Sequence, residues 1–324
     1  MSPSDRVAVS VLIPTHNRAD RLHQTLQSLA ELIVPPERRI ELVVIANACT
    51  DSTPQICKAI AATLPFVLRC VDEPQAGAAH ARNRAITEAQ GEILAFLDDD
   101  VTVDKEWLTG LLEVFDHYPA DVVVGRVTLC WEAVAKPAWL THRSAHLLSC
   151  VDYGEAVREL FTAGEAISAN LAVRRCVLAD VAGFRTNLGR RGSKVLAGED
   201  TQFIAQALKT GHRMFYAPRA AGQHWVYPER LTLEYLGRAA RANGLARIQI
   251  IGRLGPGRRI KLAVENGMKY FYYMMMEWLS AMAGYQKGRI HHRIRRMTCQ
   301  GVLKGLVLCH HLTFGYRGRR RSPA

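Results

Sequence analysis

The chain is short of the features that would export, cross-link or anchor a protein. Its first seven residues lack the apolar run of a secretion signal, so it is expected to stay on the cytosolic side. Eight cysteines are scattered without a C-x-x-C pair, which fits reduced thiols rather than a disulfide framework. No run of about 18 uncharged apolar residues occurs, so no spanning helix is expected. The nearest approach, 262–284, is broken by Glu265, Lys269 and Glu277 and reads as amphipathic. Acid is missing altogether from residues 278–324, where Lys287, Arg289, Arg293, Arg295, Arg296, Lys304, Arg317 and the Arg319, Arg320, Arg321 run all lie. The net charge of +12 therefore belongs mainly to one end. A basic end attracts polyanions, either anionic lipid headgroups or nucleic acid.

What is present is globular: 48% hydrophobic and 22% charged over 324 residues. Apolar, β-branched runs at 7–13, 40–46, 66–71 and 92–97 predict strands. Between them, helices are predicted at 21–32 (capped by Asp20), 53–62 and 78–89. Strands that read as continuous apolar runs, separated by helices, predict a mostly parallel sheet covered on both faces. Ligands bind beyond the carboxyl ends of such strands, and the polar clusters 15–17, 47–51 and 98–100 fall there. Further on, a helix is expected at 103–115 and strands at 121–129, 166–173 and 214–217. The segment 130–140 reads as a loop, and 201–209 as a helix. Beyond residue 227 the pattern turns helical and basic, with Gly252–Gly257 as a hinge between two pieces. The chain thus divides into an α/β domain at 1–227 and a basic amphipathic helical extension at 228–324.

Three consecutive carboxylates, Asp98, Asp99 and Asp100, repel one another unless a cation sits among them. Mg²⁺ and Mn²⁺ take oxygen ligands of this kind together with substrate phosphates. The competing reading is a solvated acidic loop ahead of a helix. Gly198, Glu199 and Asp200 open a later helix; a carboxylate there can act as general base, or can simply complement the helix dipole. His224 is a candidate third metal ligand through neutral imidazole, or a packed residue beside Trp225.

These residues fall into stretches that resemble the family 2 glycosyltransferases of GT-A fold. The stretches are 9–18, ending Pro14-Thr15-His16-Asn17-Arg18; 47–53, from Asn47 to Thr53 through Asp51; 77–85 around Ala81-Arg82-Asn83; 96–101; Ser168-Ala169-Asn170; and Gly198-Glu199-Asp200. They occur in the family's order over about residues 7–227. The resemblance implies a Rossmann-like GT-A sheet and an inverting, metal-dependent transfer of sugar from a nucleotide-sugar donor to an acceptor hydroxyl. It implies donor contacts from Pro14, Thr15, Asn17, Asn47, Asp51, Arg82, Asp98 and Asp99, with Thr15 and Arg82 near the base and Asp98 near the ribose. Mg²⁺ or Mn²⁺ would be held by Asp100, Asp98 and His224. Asp200 would be the base, with Glu199 beside it, and Asn170 and the Trp131–Trp139 loop would flank the acceptor. One departure stands out: Ala46 occupies the position of a base-contacting Asp in many members, so the choice of nucleotide is open.

The implied setting is cell-surface polysaccharide or glycolipid synthesis, with a carbohydrate or lipid-linked acceptor. The basic C-terminus would hold the enzyme peripherally on the inner face of the cytoplasmic membrane, without nucleic acid as a partner. Two other classes compete. A sugar-phosphate nucleotidyltransferase also uses a parallel sheet and Mg²⁺, but residues 14–20 hold no glycine to cradle a triphosphate. A non-catalytic nucleic-acid binder is suggested by charge alone, with no recognisable module.

Overall fold

A computed structural model describes residues 7–189, 198–252 and 254–314, with the side chains of 142, 143 and 309–314 outside the description. The basic residues Arg253, Arg317, Arg319, Arg320 and Arg321 lie outside the described residues. The described chain forms two compact units. One takes residues 7–136, 148–189 and 199–228; the other takes 137–147, 198, 229–252 and 254–314.

The first unit is built on one nine-stranded sheet. Its elements are β1 (Val7–Thr15), α1 (Ala19–Ala30), β2 (Arg39–Asn47), α2 (Thr53–Ile60), β3 (Val67–Glu73), α3 (Ala78–Glu88), β4 (Ile93–Leu97), β5 (Val101–Val103), α4 (Trp107–His117) and β6 (Val122–Cys130). After the short helix α5 (His142–His146), which belongs to the second unit, come β7 (Arg158–Leu160), β8 (Asn170–Arg174), α6 (Val177–Asp180), α7 (Glu199–Lys209) and β9 (Met214–Trp225). The strand order is β3-β2-β1-β4-β8-β6-β9-β5, with β7 also on β9. The long ladders, β1–β2, β2–β3 and β6–β9, are parallel, as is β1–β4. Strand β8 enters antiparallel between β4 and β6. Apolar side chains on opposite sides of the sheet form two cores, one around Leu22, Leu26 and Trp107, the other around Phe96, Phe184 and Phe203.

This topology decides what meets at one edge. β1, β2 and β4 run the same way, so Thr15, Asn47 and Asp98 emerge together. β8 runs against them, so the residues before it, Ser168 and Ala169, lie at that same edge. β6 and β9 run with β4, which brings the end of β9, His224 and Trp225, there as well.

Three expectations are corrected. Asp20 does not cap α1: Arg18 is the cap residue and Asp20 sits in the first turn. The predicted helix at 103–115 is preceded by strand β5, and the predicted short strand at 214–217 runs on to Trp225. Both differences come from one bulge. Gly125 pairs with Ala217 but Arg126 pairs with Ala221, leaving Pro218, Arg219 and Ala220 without partners on β6. Proline has no N–H to give a ladder, so the strand breaks register there and resumes. The resumed half pairs with β5, with Val101 opposite His224.

Helices make up the second unit: α8 (Leu233–Ile251), α9 (Pro256–Met282) and α10 (Gln286–Phe314). The Thr232 hydroxyl accepts from the Tyr235 N–H and caps α8, Gly252 ends that helix at φ 73°, and Pro256 opens α9, so the expected hinge is a helix stop followed by a helix start. α8 and α10 approach through glycine: a Cβ on Gly244 would strike the Thr298 carbonyl, and one on Gly301 would strike that of Arg241. Among the described residues no helix is long and apolar enough to cross a membrane.

Candidate active site

The acidic turn after β4 gives each of its three carboxylates a different neighbour. Asp99 is buried; its Oδ2 accepts from the Thr15 hydroxyl at 2.7 Å, its Oδ1 from Arg18 at 3.0 Å, and its carbonyl from the Thr25 hydroxyl at 2.9 Å. Burial, and then the charge of Asp100, push its carboxyl up to about 6. Asp100 is also buried, with Oδ2 on Arg18 at 2.9 Å and Oδ1 facing His224 Nε2 at 3.3 Å. Asp98 is half-buried and meets Arg82 at 3.2 Å.

Oxygen atoms of Asp98 and Asp100 and a ring nitrogen of His224 lie within 4.8 Å of one another. Two carboxylates and one imidazole suit Mn²⁺ or Mg²⁺, hard cations that prefer oxygen and accept nitrogen. The bulge in β9 matters here, since it sets the register that carries His224 to Asp100. The donor set therefore fits the expected cation, and Asp99 stands behind it as a brace.

The second acidic motif repeats that division. Glu199, first residue of α7, is buried and accepts from Arg82 Nη1 at 2.9 Å. Its carboxyl is raised, by burial first and the charge of Asp200 second, with Arg82 opposing. Asp200 is half-buried; its Oδ2 accepts from the Ser168 N–H at 3.4 Å and its Oδ1 from the Thr201 N–H at 2.6 Å. Arg82 thus joins Asp98 to Glu199. Burial would lower its basicity, but the charges of Asp98, Glu199 and Asp200 outweigh that and raise it. The Asp98 N–H also donates to the Ala169 carbonyl at 3.2 Å, next to Ser168. Arg82 and the 168–169 backbone therefore bring the Asp98–Asp100 turn and Asp200 to one edge of the sheet.

Other expected donor residues hold the loops. Pro14 lies in β1 opposite Ile45, and Thr15 is committed to Asp99. Asn17, at φ 50°, accepts from the Thr50 N–H at 2.7 Å through Oδ1. Asn47 accepts from the Gly77 N–H at 2.7 Å and donates to the carbonyls of Glu73 and Gln75, which positions the loop leading to Arg82. Asp51 Oδ2 accepts from the Ala19 N–H at 2.9 Å, and its Oδ1 accepts from Thr53. Burial opposes ionisation of Asp51, but these bonds overcome it and lower its pKa. Both of its oxygens thus serve the turn and the start of α1.

Asn170 is corrected. It is fully buried; Nδ2 donates to the carbonyls of Ala220 at 2.8 Å and Arg126 at 3.2 Å, while Oδ1 accepts from Trp107 Nε1 at 2.9 Å. It satisfies carbonyls that the β9 bulge leaves off the ladder, so it holds the fold and does not flank an acceptor. Trp139, from the expected acceptor loop, packs in the second unit near Ile290 and Ile294. Arg18 and Tyr227 were missed: Arg18 lies under the Tyr227 ring, 5.3 Å from its centroid. The signal for Arg18 was a lone cation in the first motif, with three acids elsewhere needing a counter-charge.

The fold is that of GT-A glycosyltransferases. A mannosyltransferase from Pyrobaculum calidifontis, solved with GDP-Man and Mn²⁺, superposes with a TM-score of 0.58 at 20% identity, over 98% of this chain and 78% of that one. Residues 1–349 of Staphylococcus aureus TarS, in complex with UDP, give 0.53 at 20% identity, over 96% and 93%. The glycosyl transferase family 2 profile matches residues 10–181, and the chain belongs to that family. In sequence it is similar to the succinoglycan biosynthesis protein ExoM of Rhizobium meliloti, 28% identical over 79% of each chain. It is also similar to a glucosyl-dolichyl phosphate glucuronosyltransferase of Haloferax volcanii, 26% identical over 70% of this chain and 72% of the other.

Proposed function

We propose that this glycosyltransferase is a metal-dependent, inverting enzyme that moves a sugar from a nucleoside-diphosphate sugar to an acceptor hydroxyl. The observation that carries the reading is the meeting, at one sheet edge, of the Asp98, Asp100 and His224 donor set with the half-buried Asp200. Asp98, Asp100 and His224 would hold Mn²⁺ or Mg²⁺, and such a cation would supply positive charge to a departing diphosphate. Asp200 takes the proton of the acceptor hydroxyl, whose oxygen bonds to the anomeric carbon as the bond to the diphosphate breaks. Thr15, Arg18 and Arg82 fix the carboxylates so that little reorganisation accompanies the reaction.

The donor end of the site takes shape around Asn47, Asp51 and the 75–77 loop. With Ala46 at the position of the usual acid and both Asp51 oxygens engaged, base selection falls to backbone groups of that loop. The Rhizobium relative is named for succinoglycan biosynthesis, which favours a polysaccharide acceptor here; a lipid-linked acceptor made at the inner face of the cytoplasmic membrane is the setting that the basic helical extension suits. The decisive experiment is a thermal-shift panel of nucleotide sugars with and without Mn²⁺, followed by NMR of the product anomer. The reading predicts Mn²⁺-dependent stabilisation by one nucleotide class and inversion at the anomeric carbon. Retention of configuration, or donor stabilisation indifferent to Mn²⁺, sinks it.

A further inference from the structure

Within the second unit, α9 carries a stripe that the unit does not cover. Val264, Met268, Phe271, Met275, Trp278 and Met282 are each 52–70% exposed and step by three or four residues along one side of the helix. Tyr272, Met274 and Leu279, also exposed, widen the stripe to nearly half the helix circumference. Monomeric proteins rarely leave so long an apolar face to water.

The charges around it have one sign. Among the described residues of 255–289, the exposed charged side chains are Arg258, Lys261, Lys269, Lys287 and Arg289, all cations. Neither acid of α9 is fully exposed. Glu265 is only partly exposed, and Glu277 turns toward α10, where Arg296 meets it at 2.8 Å and Arg293 at 3.5 Å.

Two occupants can cover such a face: a second copy of the helix or a lipid surface. A two-helix seam is narrow, and charged residues beside it select the partner by ion pairing. Here the positions flanking the stripe are Tyr272, Met274, Leu279 and Ala281, and a second copy would bring cations against cations. A broad apolar face rimmed by Lys and Arg is the form of a helix lying in the plane of an anionic bilayer.

We infer that α9 is a lipid-binding helix, which seats the protein on anionic membranes through this face. The inference rests on the reading that the acceptor is made at a membrane, and it moves the contact from the acid-free tail to α9. Burial of large apolar side chains drives adsorption of this kind, so losing two of them lowers partitioning at least about tenfold.

The test is co-sedimentation of the full chain with vesicles of phosphatidylcholine alone or mixed with phosphatidylglycerol, at low and high salt. The wild type is expected to pellet with the anionic vesicles. Phe271→Ser/Trp278→Ser is expected to lose about tenfold or more at both salt levels, and Lys261→Gln/Lys269→Gln to lose binding mainly at low salt. Donor hydrolysis in solution, followed in parallel, reports on the catalytic reading alone and is expected to be unchanged in both variants. Unchanged partitioning of the Phe271→Ser/Trp278→Ser protein overturns the inference. So does a wild-type dimer in sedimentation velocity that this variant dissociates while vesicles bind neither form.

Discussion

Arg82 Nη1 donates to Glu199 Oε1 at 2.9 Å across 117 residues of sequence, and both side chains are buried. A buried ion pair is poor evidence of net stability, but breaking it from one side leaves a charge stranded. Its role is placement: it holds the start of α7, and with it Asp200, beside the Asp98 turn. Arg82→Met is expected to cost about 3–5 kcal/mol of unfolding free energy, measured by urea denaturation, and Arg82→Lys to recover part of it. A methionine variant as stable as wild type would remove this role.

Asp200→Asn keeps the hydrogen-bonding shape but not the basicity. Turnover in sugar transfer is expected to fall at least about 10²-fold, the usual scale of acid–base contributions, with the unfolding midpoint little changed. Transfer near the wild-type rate would take the base role from Asp200.

Asp100→Ala removes one of the three proposed metal ligands and the carboxylate that faces His224. It is expected to abolish stabilisation by Mn²⁺ and to lower turnover by at least about 10²-fold. Calorimetric titration with Mn²⁺ checks the first effect without any substrate. Undiminished heat of binding would place the cation elsewhere.

Asp99 is expected to give the proposed response to Mn²⁺ a pH signature. Its carboxyl is raised from 3.8 to about 6, so the fold binds its proton more tightly than the unfolded chain does. Stability from this group is full below pH 3.8 and declines as pH rises through about 6. A cation beside Asp98 and Asp100 favours the ionised form and opposes that decline. The Mn²⁺-induced rise in melting temperature is therefore expected to grow between about pH 5 and 7. The growth should be smaller in Asp99→Asn, and equal slopes in the two proteins would count against the coupling.

Asn170→Ala strands two carbonyls and the Trp107 N–H in the core. Each unsatisfied group costs about 1–3 kcal/mol, so a large loss of stability is expected, read by urea denaturation. The KM for acceptor in the surviving folded fraction should be unchanged. A selective rise in that KM would return Asn170 to the acceptor site.

Much of this was legible in the chain. Continuous apolar runs forecast β1, β2 and β4, because a strand covered on both sides has no polar face to show; β3 lies at the sheet edge, largely uncovered, and only its apolar first half marked it. The carboxylates after β4 and at the start of α7 announced themselves as charges where burial is expected. The second half of β9 did not, since Pro218, Arg219 and Gln223 break the apolar pattern while the ladder resumes beneath it. The division of labour inside each acidic motif was hidden too. Neighbours such as Asp99 and Asp100, or Glu199 and Asp200, differ only in what reaches them from distant segments, and no local spacing records that.

The glycine contact between α8 and α10 has a practical corollary. Where one helix rests on another's carbonyls, even a methyl group must push the backbones apart, so Gly244 and Gly301 should tolerate almost no replacement in a saturation library. The outward residues of α9 carry no such constraint. Replacing them should leave the helical unit folded and alter only what that face meets, whereas the buried glycines of α8 and α10 admit no such freedom.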